Sequence, residues 1–264
     1  MISPILCIGQ SDSCAGGGIQ ADVKTAMALG GYAATIVTEV SVQNTKGVFA
    51  SHPVPPIMVH TQIQKVMEDI KPTVIKTGAL CNEDVINMIG DMLDEKDTDY
   101  DTIQLVVDPV MQRTGVDLLD KAGRDAFKRR LLIHADILTP NITEATKLSG
   151  IKIGDVDAMC HAAETLRTLG AKTVIIKGGD LPGEAIQDVL SDEKGTEIYN
   201  HERLETKAHY GAGATFSTAV AVGLSKGQDV RTAYQGAIAF MLKAMQAAES
   251  IGDGYDPLNH AVGL

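Results

Sequence analysis

Short apolar runs rich in β-branched residues alternate along this chain with longer segments whose apolar residues recur at helical spacing. Six of these runs predict buried strands, at residues 5–8, 35–42, 74–76, 103–107, 137–138 and 173–176. They are apolar almost throughout, which suits a parallel sheet covered on both faces. The alternation therefore predicts an α/β fold with a doubly wound, mostly parallel central sheet and helices on both faces.

The segments between the strands predict helices with one buried face. One face is predicted by Ile19, Val23, Ala26 and Met27, in a helix that ends at Gly30-Gly31. Another is predicted by Phe216, Val220, Gly223 and Leu224, in a helix that ends at Lys226-Gly227. Residues 185–205 predict shorter antiparallel strands around a turn at 193–195. We find no repeat, low-complexity segment or linker, so the sequence predicts a single domain over residues 1–264.

Composition and charge limit the functions that such a fold could serve. The chain is 44% hydrophobic, which is enough to build a sizeable core, and its formal charge of -11 argues against a nucleic-acid duplex or an anionic membrane as partner. No stretch approaches the ~20 apolar residues of a membrane span, and the first eleven residues lack a basic start typical of a signal peptide. The four cysteines form no C-x-x-C pair, so reduced thiols and a cytoplasmic location are expected.

Two glycine-containing loops are candidates for binding a ligand. In doubly wound sheets, ligands bind beyond the carboxyl ends of the strands. Residues 11–18 follow the first strand and end in three glycines, which allow close approach of backbone to a ligand or simply form a tight turn. Residues 211–215 place small side chains before a helix, where converging backbone N–H groups would form an anion hole for a transferring phosphoryl group. The alternative for this second loop is a plain glycine turn.

Polar residues follow three other predicted strands. Asp108 and Lys177 each end an apolar strand, where they are either solvated ends or a metal ligand and a phosphate-neutralising charge, respectively. Asn141 and Glu144 follow the short strand at 137–138. A carboxylate beside an asparagine suits magnesium binding through waters, although the same pair predicts an N-terminal capping box. The two roles are compatible.

Taken in order, six motifs resemble one family closely. They are residues 18–25 (GIQADVKT), 42–48 (VQNTKGV), 108–111 (DPVM), 139–141 (TPN, with Glu144), 177–179 (KGG) and 252–260 (GDGYDPLNH). Each is weak alone, but their order over nearly the whole chain resembles the hydroxymethylpyrimidine/phosphomethylpyrimidine kinases of the ribokinase superfamily. The resemblance implies a ribokinase-like fold, ATP and Mg²⁺ as cofactors, and a homodimer.

The resemblance also implies roles for individual residues. The pyrimidine substrate and its hydroxymethyl group would be bound by Gly18, Asp22, Gln43 and Ala79. Mg²⁺ would be held by Asp108 and Glu144, and the nucleotide would be bound by Asn141, Lys177 and Thr215. The anion hole would be formed by Gly211, Ala212, Gly213, Ala214 and Thr215, and residues 111–117 would form a flap in which Arg113 stands for the family's usual lysine.

One position departs from the family pattern. The family carries Cys or Asp as the base that removes the substrate's hydroxyl proton, and here that position is Ala214. Losing a general base typically costs about 10²–10⁴ in rate. His209 is a nearby alternative base, although the family's usual histidine position holds Tyr210. The chain is therefore an engineered variant, a lineage that uses another base, or a binding protein that kept the fold.

We expect an ATP-dependent kinase that phosphorylates the hydroxymethyl group of 4-amino-5-hydroxymethyl-2-methylpyrimidine, with its monophosphate as a further substrate, in thiamine biosynthesis. Phosphoryl transfer depends mainly on positioning and charge stabilisation, and the residues for both are present. Two alternatives remain open. One is a pyridoxal or pyridoxine kinase, since pyridoxal also carries a hydroxymethyl group on a ring. The other is a catalytically impaired ligand-binding relative.

Overall fold

The computed structural model describes residues 4–95, 103–113 and 116–264. The strands are β1 (Pro4–Asp12), β2 (Tyr32–Asn44), β3 (Gly47–Pro53), β4 (Val74–Thr77), β5 (Gln104–Val107), β6 (Gln112–Arg113), β7 (Val116–Asp117), β8 (Ile137–Leu138), β9 (Thr173–Ile176), β10 (Ala185–Asp192) and β11 (Gly195–Glu202). The α-helices are α1 (Gly18–Ala28), α2 (Pro56–Asp69), α3 (Glu83–Asp94), α4 (Lys121–Arg130), α5 (Ile142–Ser149), α6 (Val156–Thr168), α7 (Ala212–Ser225) and α8 (Val230–Gln246).

Nine of the strands form one sheet, in the order β11-β10-β9-β8-β5-β4-β1-β2-β3. The six from β9 to β2 pair in parallel, which confirms the predicted mostly parallel sheet. At one edge β10 and β11 form the predicted antiparallel hairpin, in which Asp192 pairs with Gly195 across the turn. At the other edge β3 pairs antiparallel with β2.

The β2–β3 edge departs from the sequence prediction. Residues 35–42 were expected to form a fully buried strand, but β2 is longer, and Val40 and Val42 are 52% and 57% exposed. The end of β2 pairs with β3, and the face that carries Val40 and Val42 stays open to solvent. A β-branched residue favours a strand whether or not that strand is covered, and its sequence signal therefore does not report burial.

Two cores cover the two faces of the sheet. Successive strand residues point to opposite faces. On one face Leu6, Ile8, Ile36, Leu105 and Val107 pack with helices α2 to α6. On the other face Ile5, Cys7, Val74, Val106 and Ile175 pack with α1, α7 and α8. The unbroken apolar runs in the sequence follow from this burial on both sides.

The predicted inner face of α1 is wrong in part. Ile19 and Ala26 are buried as expected, but Val23 and Met27 are 41% and 61% exposed. The helix instead buries a face of small and polar residues, Ala21, Asp22, Thr25 and Ala28, toward β1 and α7. The small side chains allow α1 and α7 to approach closely, and Asp22 is buried because it is paired. The periodicity of apolar residues alone therefore predicts the wrong buried face for α1.

Helix α7 buries the predicted Phe216, Val220 and Leu224, and it begins at Ala212 rather than near Phe216. Residues 212–215, predicted as a loop before the helix, therefore form its first turn. In the three stretches that the structure describes, each helix is too short or too polar to cross a membrane.

Leu131→Ala is expected to lower the free energy of unfolding by about 2–5 kcal/mol. The substitution leaves a cavity in the core between the sheet and helices α2 to α6. Leu169→Ala is the matched control. Both leucines follow the last turn of a helix, but Leu131 is fully buried and Leu169 is 47% exposed. The control should change the free energy by less than about 1 kcal/mol. Urea unfolding followed by circular dichroism measures both, and equal losses would contradict the assignment of the core.

Candidate active site

Two clefts open side by side at the carboxyl edge of the parallel strands. The first has a volume of about 390 Å³ and the second about 460 Å³. Five residues line both clefts: Asn141, Lys177, His209, Ala212 and Gly213. The two clefts therefore meet at the start of α7, beside the ends of β8 and β9.

The first cleft is polar and collects most of the predicted site residues. Among its lining residues are Gly18, Asp22, Ala79, Asp108, Asn141, Glu144, Lys177, Gly211, Ala212, Gly213 and Ala214. These come from segments far apart in the sequence. They meet because β1, β4, β5, β8 and β9 are parallel and end at the same edge of the sheet.

The second cleft combines an apolar slot with polar groups at its rim. Helix α8 contributes Ile238, Met241, Leu242 and Met245, and Ile186 of β10 completes the apolar wall. The rim includes His201, whose Nε2 lies 3.1 Å from Asp188 Oδ2. Burial lowers the pKa of His201, but the hydrogen bond and the charge of Asp188 outweigh that effect and raise it. The cleft thus combines an apolar wall with the hydrogen-bonded pair of His201 and Asp188 at its rim.

Lys177 carries positive charge to the junction of the clefts. Its Nζ lies 3.4 Å from Asp108 Oδ1 and 5.9 Å from the centre of the Phe216 ring. A β-carbon built on Gly213 would lie 3.5 Å from Lys177 Nζ and 3.6 Å from Asp108 Oδ2. The ammonium group, the carboxylate and the first turn of α7 therefore face the same small volume.

The start of α7 depends on a close approach between two glycine loops. Gly211 has a φ of 86°, and a β-carbon there would lie 1.8 Å from the carbonyl oxygen of Gly16. No other residue fits both the left-handed backbone and the contact. The N–H groups of a first helical turn have no partner within the helix, and the helix dipole makes them favourable for an anion. The arrangement fits a phosphate at the junction.

A buried ion pair lies beneath the first cleft. Lys76 Nζ donates to Asp22 Oδ1 at 2.9 Å, and both side chains are 1% exposed. Thr218 of α7 donates to the same Oδ1 at 2.7 Å. Sequence reasoning predicted Asp22 but missed Lys76. A lysine inside a strand predicted to be fully buried was the available signal, because such a charge is almost never buried without a partner.

Asp108 and Glu144 fit a divalent cation at the junction. Glu144 completes the predicted capping box. Its backbone N–H donates to Asn141 Oδ1 at 2.8 Å, and its Oε2 accepts from the Asn141 backbone N–H at 2.9 Å. Burial, and after it the charge of Asp108, raises the pKa of Glu144 to about 7, although Lys177 lowers it. A carboxylate whose ionised form is destabilised by burial and by a neighbouring carboxylate is suited to a cation.

The two carboxylates would not hold such a cation by themselves. Within the described part of the chain, no three His, Cys, Asp or Glu side chains cluster closely enough to bind a metal. Waters and phosphate oxygens would complete the coordination, as is usual for Mg²⁺.

Two predicted site residues do not line either cleft. The hydroxyl of Thr215 is fully buried and lies 2.9 Å from His260 Nε2, so it faces the protein interior. Gln43 is 6% exposed, and neither atom of its side-chain amide has a hydrogen-bond partner among the described residues. An unmet buried amide is costly.

Asp12 and Tyr210 form a contact that sequence reasoning did not find. Tyr210 donates through its hydroxyl to Asp12 Oδ2 at 2.7 Å, and the same oxygen accepts from the backbone of Gly17 at 2.7 Å. Tyr210 is thus committed to positioning the glycine loop. The predicted flap over residues 111–117 includes β6 and β7, while residues 114–115 and the side chain of Arg113 lie outside the described residues.

The fold and the junction of the clefts define a class. A doubly wound sheet that carries a phosphate-suited helix start between an apolar slot and a smaller polar cleft is a ribokinase-like small-molecule kinase. Residues 12–259 match the family described as phosphomethylpyrimidine kinase. The chain belongs to that family.

Individual relatives agree with this assignment. The hydroxymethylpyrimidine/phosphomethylpyrimidine kinase of Bacillus subtilis is 37% identical, over 97% of this chain and 93% of its own length. The thiamine biosynthesis bifunctional protein ThiED of Geobacter sulfurreducens is 38% identical over 97% of this chain, which spans only 52% of that longer protein. The pyridoxal kinase of Staphylococcus aureus, solved with AMP-PCP and pyridoxal, is 29% identical with a TM-score of 0.88, over 99% of this chain and 94% of that one.

His260 is expected to make the folded state less stable in mild acid. Burial, and after it the charge of Lys24, lowers the pKa of His260 to about 4 from an ordinary 6.5. Between pH 6.5 and 4 the unfolded chain therefore takes up a proton that the folded chain does not. The contribution of neutral His260 to the free energy of unfolding is fully present above pH 6.5. It is lost as the pH falls, by at most about 1.4 kcal/mol per pH unit.

His260→Gln removes the titrating group and can keep a hydrogen bond to Thr215. Urea unfolding at pH 7 and pH 5 measures the difference between the two pH values for each protein. The variant should lose less stability than the parent over this range, since all other groups are shared. An identical pH dependence of the two proteins would refute the assignment.

Proposed function

We propose that this protein transfers the γ-phosphoryl group of ATP to the hydroxymethyl group of 4-amino-5-hydroxymethyl-2-methylpyrimidine, a step of thiamine biosynthesis, and that it also accepts the monophosphate. The observation that carries the proposal is the junction of the two clefts at Lys177 and the first turn of α7. There a nucleotide in one cleft would meet an alcohol in the other.

In this proposal the apolar slot between α8 and β10 binds the adenine, and Asn141 and Lys177 bind the phosphates at the junction. The N–H groups of Gly211, Gly213 and Ala214 then stabilise the charge that develops on the transferring group. Mg²⁺ held by Asp108 and Glu144 through waters would neutralise phosphate charge. The AMP-PCP complex of the Staphylococcus aureus relative supports the use of ATP.

The substrate is placed in the first cleft, between Gly18, Asp22 and Ala79. Gln43 supports an aminopyrimidine, because its unmet amide offers a donor and an acceptor side by side. Gln43 would have to turn toward the cleft to use them, since it does not line the cleft in this structure. We further propose a single domain over residues 1–264, a homodimer and a cytoplasmic location, the last in keeping with the protein's free cysteines.

The purified chain is expected to release ADP with the hydroxymethylpyrimidine and Mg²⁺-ATP, with kcat/KM at least about tenfold higher than with pyridoxal. Pyridoxal is the specific alternative, because the Staphylococcus aureus relative was solved with it. A coupled ADP assay, with the phosphorylated products identified by mass spectrometry, measures both. A preference for pyridoxal would make the protein a pyridoxal kinase. Binding of either alcohol without any product would make it a ligand-binding relative.

Lys177→Met is expected to raise KM for ATP by about 10–100-fold, because a charge-assisted hydrogen bond to phosphate is worth about 1.5–3 kcal/mol. Lys172→Met is the matched control at the opposite end of β9. Lys172 is 75% exposed, pairs with Asp136 and lies outside both clefts. The KM of the Lys172→Met variant for ATP should stay within about twofold of the parent value. Similar KM values for both variants would remove Lys177 from the nucleotide site.

A further inference from the structure

Phosphoryl transfer to an alcohol requires that the alcohol lose its proton. The residue at the family's usual proton-acceptor position, Ala214, cannot accept it. Ala214 lines the first cleft but carries only a methyl group. Tyr210 is also unsuited, since it donates its own hydroxyl proton to Asp12. The acceptor must therefore be another group that lines the first cleft. His209 also lines the second cleft, so it lies at the junction on the phosphate side.

Three carboxylates line that cleft: Asp22, Asp108 and Glu144. Asp108 faces Lys177 through one oxygen and accepts from Ser217 Oγ at 3.2 Å through the other. Glu144 accepts from the backbone of its own capping box. Both lie toward the phosphate side of the junction, where their charge is suited to the cation. Asp22 is the carboxylate that remains on the substrate side.

Asp22 lines the first cleft, and its two oxygen atoms differ in their contacts. Its Oδ1 accepts from both Lys76 and Thr218, whereas Oδ2 receives no hydrogen bond from any residue that the structure describes. Thr218 lies four residues after Ala214 on α7, so the two share one face of the helix, about 6 Å apart. The free oxygen of Asp22 is therefore about one helical turn from the position of the missing base.

Lys76 holds this carboxylate in place. Its Nζ is 2.9 Å from Oδ1, is itself buried and lines the same cleft. A β-carbon on Gly78 would lie 3.3 Å from this Nζ, so the lysine head is enclosed by backbone. With Oδ1 fixed by two donors, the carboxylate plane and the direction of Oδ2 are also fixed.

We propose that Asp22 is the catalytic residue that takes the hydroxyl proton in this protein, and that Lys76 is the positioning residue that orients it. This rests on the proposed kinase function. The O–H bond of the alcohol breaks as its oxygen bonds to the γ-phosphorus, and the bond from that phosphorus to the β–γ bridging oxygen breaks. That electron pair leaves on ADP, and the proton moves to Asp22 Oδ2.

The electrostatics of the pair agree with this role. Burial raises the pKa of Asp22 above its ordinary value, and Lys76 opposes that effect without cancelling it. Burial lowers the pKa of Lys76, but Asp22 and Asp108 outweigh that effect and raise it. Lys76 thus stays charged, and Asp22 binds a proton more readily than an exposed aspartate does.

The test combines Asp22→Asn with Ala214→Cys, which restores a side chain that the family uses. Asp22→Asn is expected to lower kcat by about 10²–10⁴. In the Asp22→Asn background, Ala214→Cys should recover at least about tenfold in kcat. Calorimetric titration with the pyrimidine, without nucleotide, measures substrate binding by each variant.

Two outcomes would overturn the proposal. One is a kcat for Asp22→Asn within about threefold of the parent. The other is a large loss of kcat that Ala214→Cys does not recover while pyrimidine still binds, which would leave Asp22 as a binding residue only. Failure of the kinase function itself is distinct, because the parent protein would then yield no phosphorylated product.

Asp22→Asn leaves the Lys76 charge buried without a partner, and such a loss can unfold a protein. Asp22→Asn/Lys76→Met removes both charges together and serves where the single variant does not fold. The double variant should show the same loss of kcat and the same recovery with Ala214→Cys. Thermal unfolding followed by circular dichroism shows that each protein compared is folded.

Discussion

The buried ion pair between Lys76 and Asp22 is the contact that ties the site to the fold. It joins β4 to α1, and Thr218 adds α7 through the same carboxylate oxygen. Removing two charges from water is costly, and breaking such a pair costs more than replacing both partners by apolar side chains. The pair is thus a weak source of stability. The pair connects three elements, and Asp22 and Lys76 both line the first cleft.

The glycines at the start of α7 are the second constraint. Gly211 allows the start of α7 to contact the backbone of Gly16, and the heads of Lys177 and Asp108 lie beside Gly213. A phosphate at this position would be bound by backbone N–H groups and by one mobile ammonium group. Because the backbone donors are fixed before any ligand arrives, little reorganisation is needed when charge moves during transfer.

Replacement of the family base by Ala214 leaves this machinery intact. The helix start, the lysine and the two acidic residues that suit a cation all remain at the junction of the clefts. Tyr210, which occupies the family's histidine position, has become part of the support for the glycine loop through Asp12. In the proposed function, the site therefore keeps the groups that would bind and stabilise phosphate, and Asp22 would accept the proton in place of the family base.

The sequence by itself determined the class of fold and most of the residues at the junction. Apolar strands reveal a covered parallel sheet, and residues that follow such strands must meet at one edge, which is why Asp108, Asn141 and Lys177 were found. Tertiary structure alone decided the inner face of α1, the interior position of Thr215 and the pairing of Asp22 with Lys76. Those features depend on contacts between side chains of elements that lie far apart in the sequence. Local periodicity carries no information about such contacts.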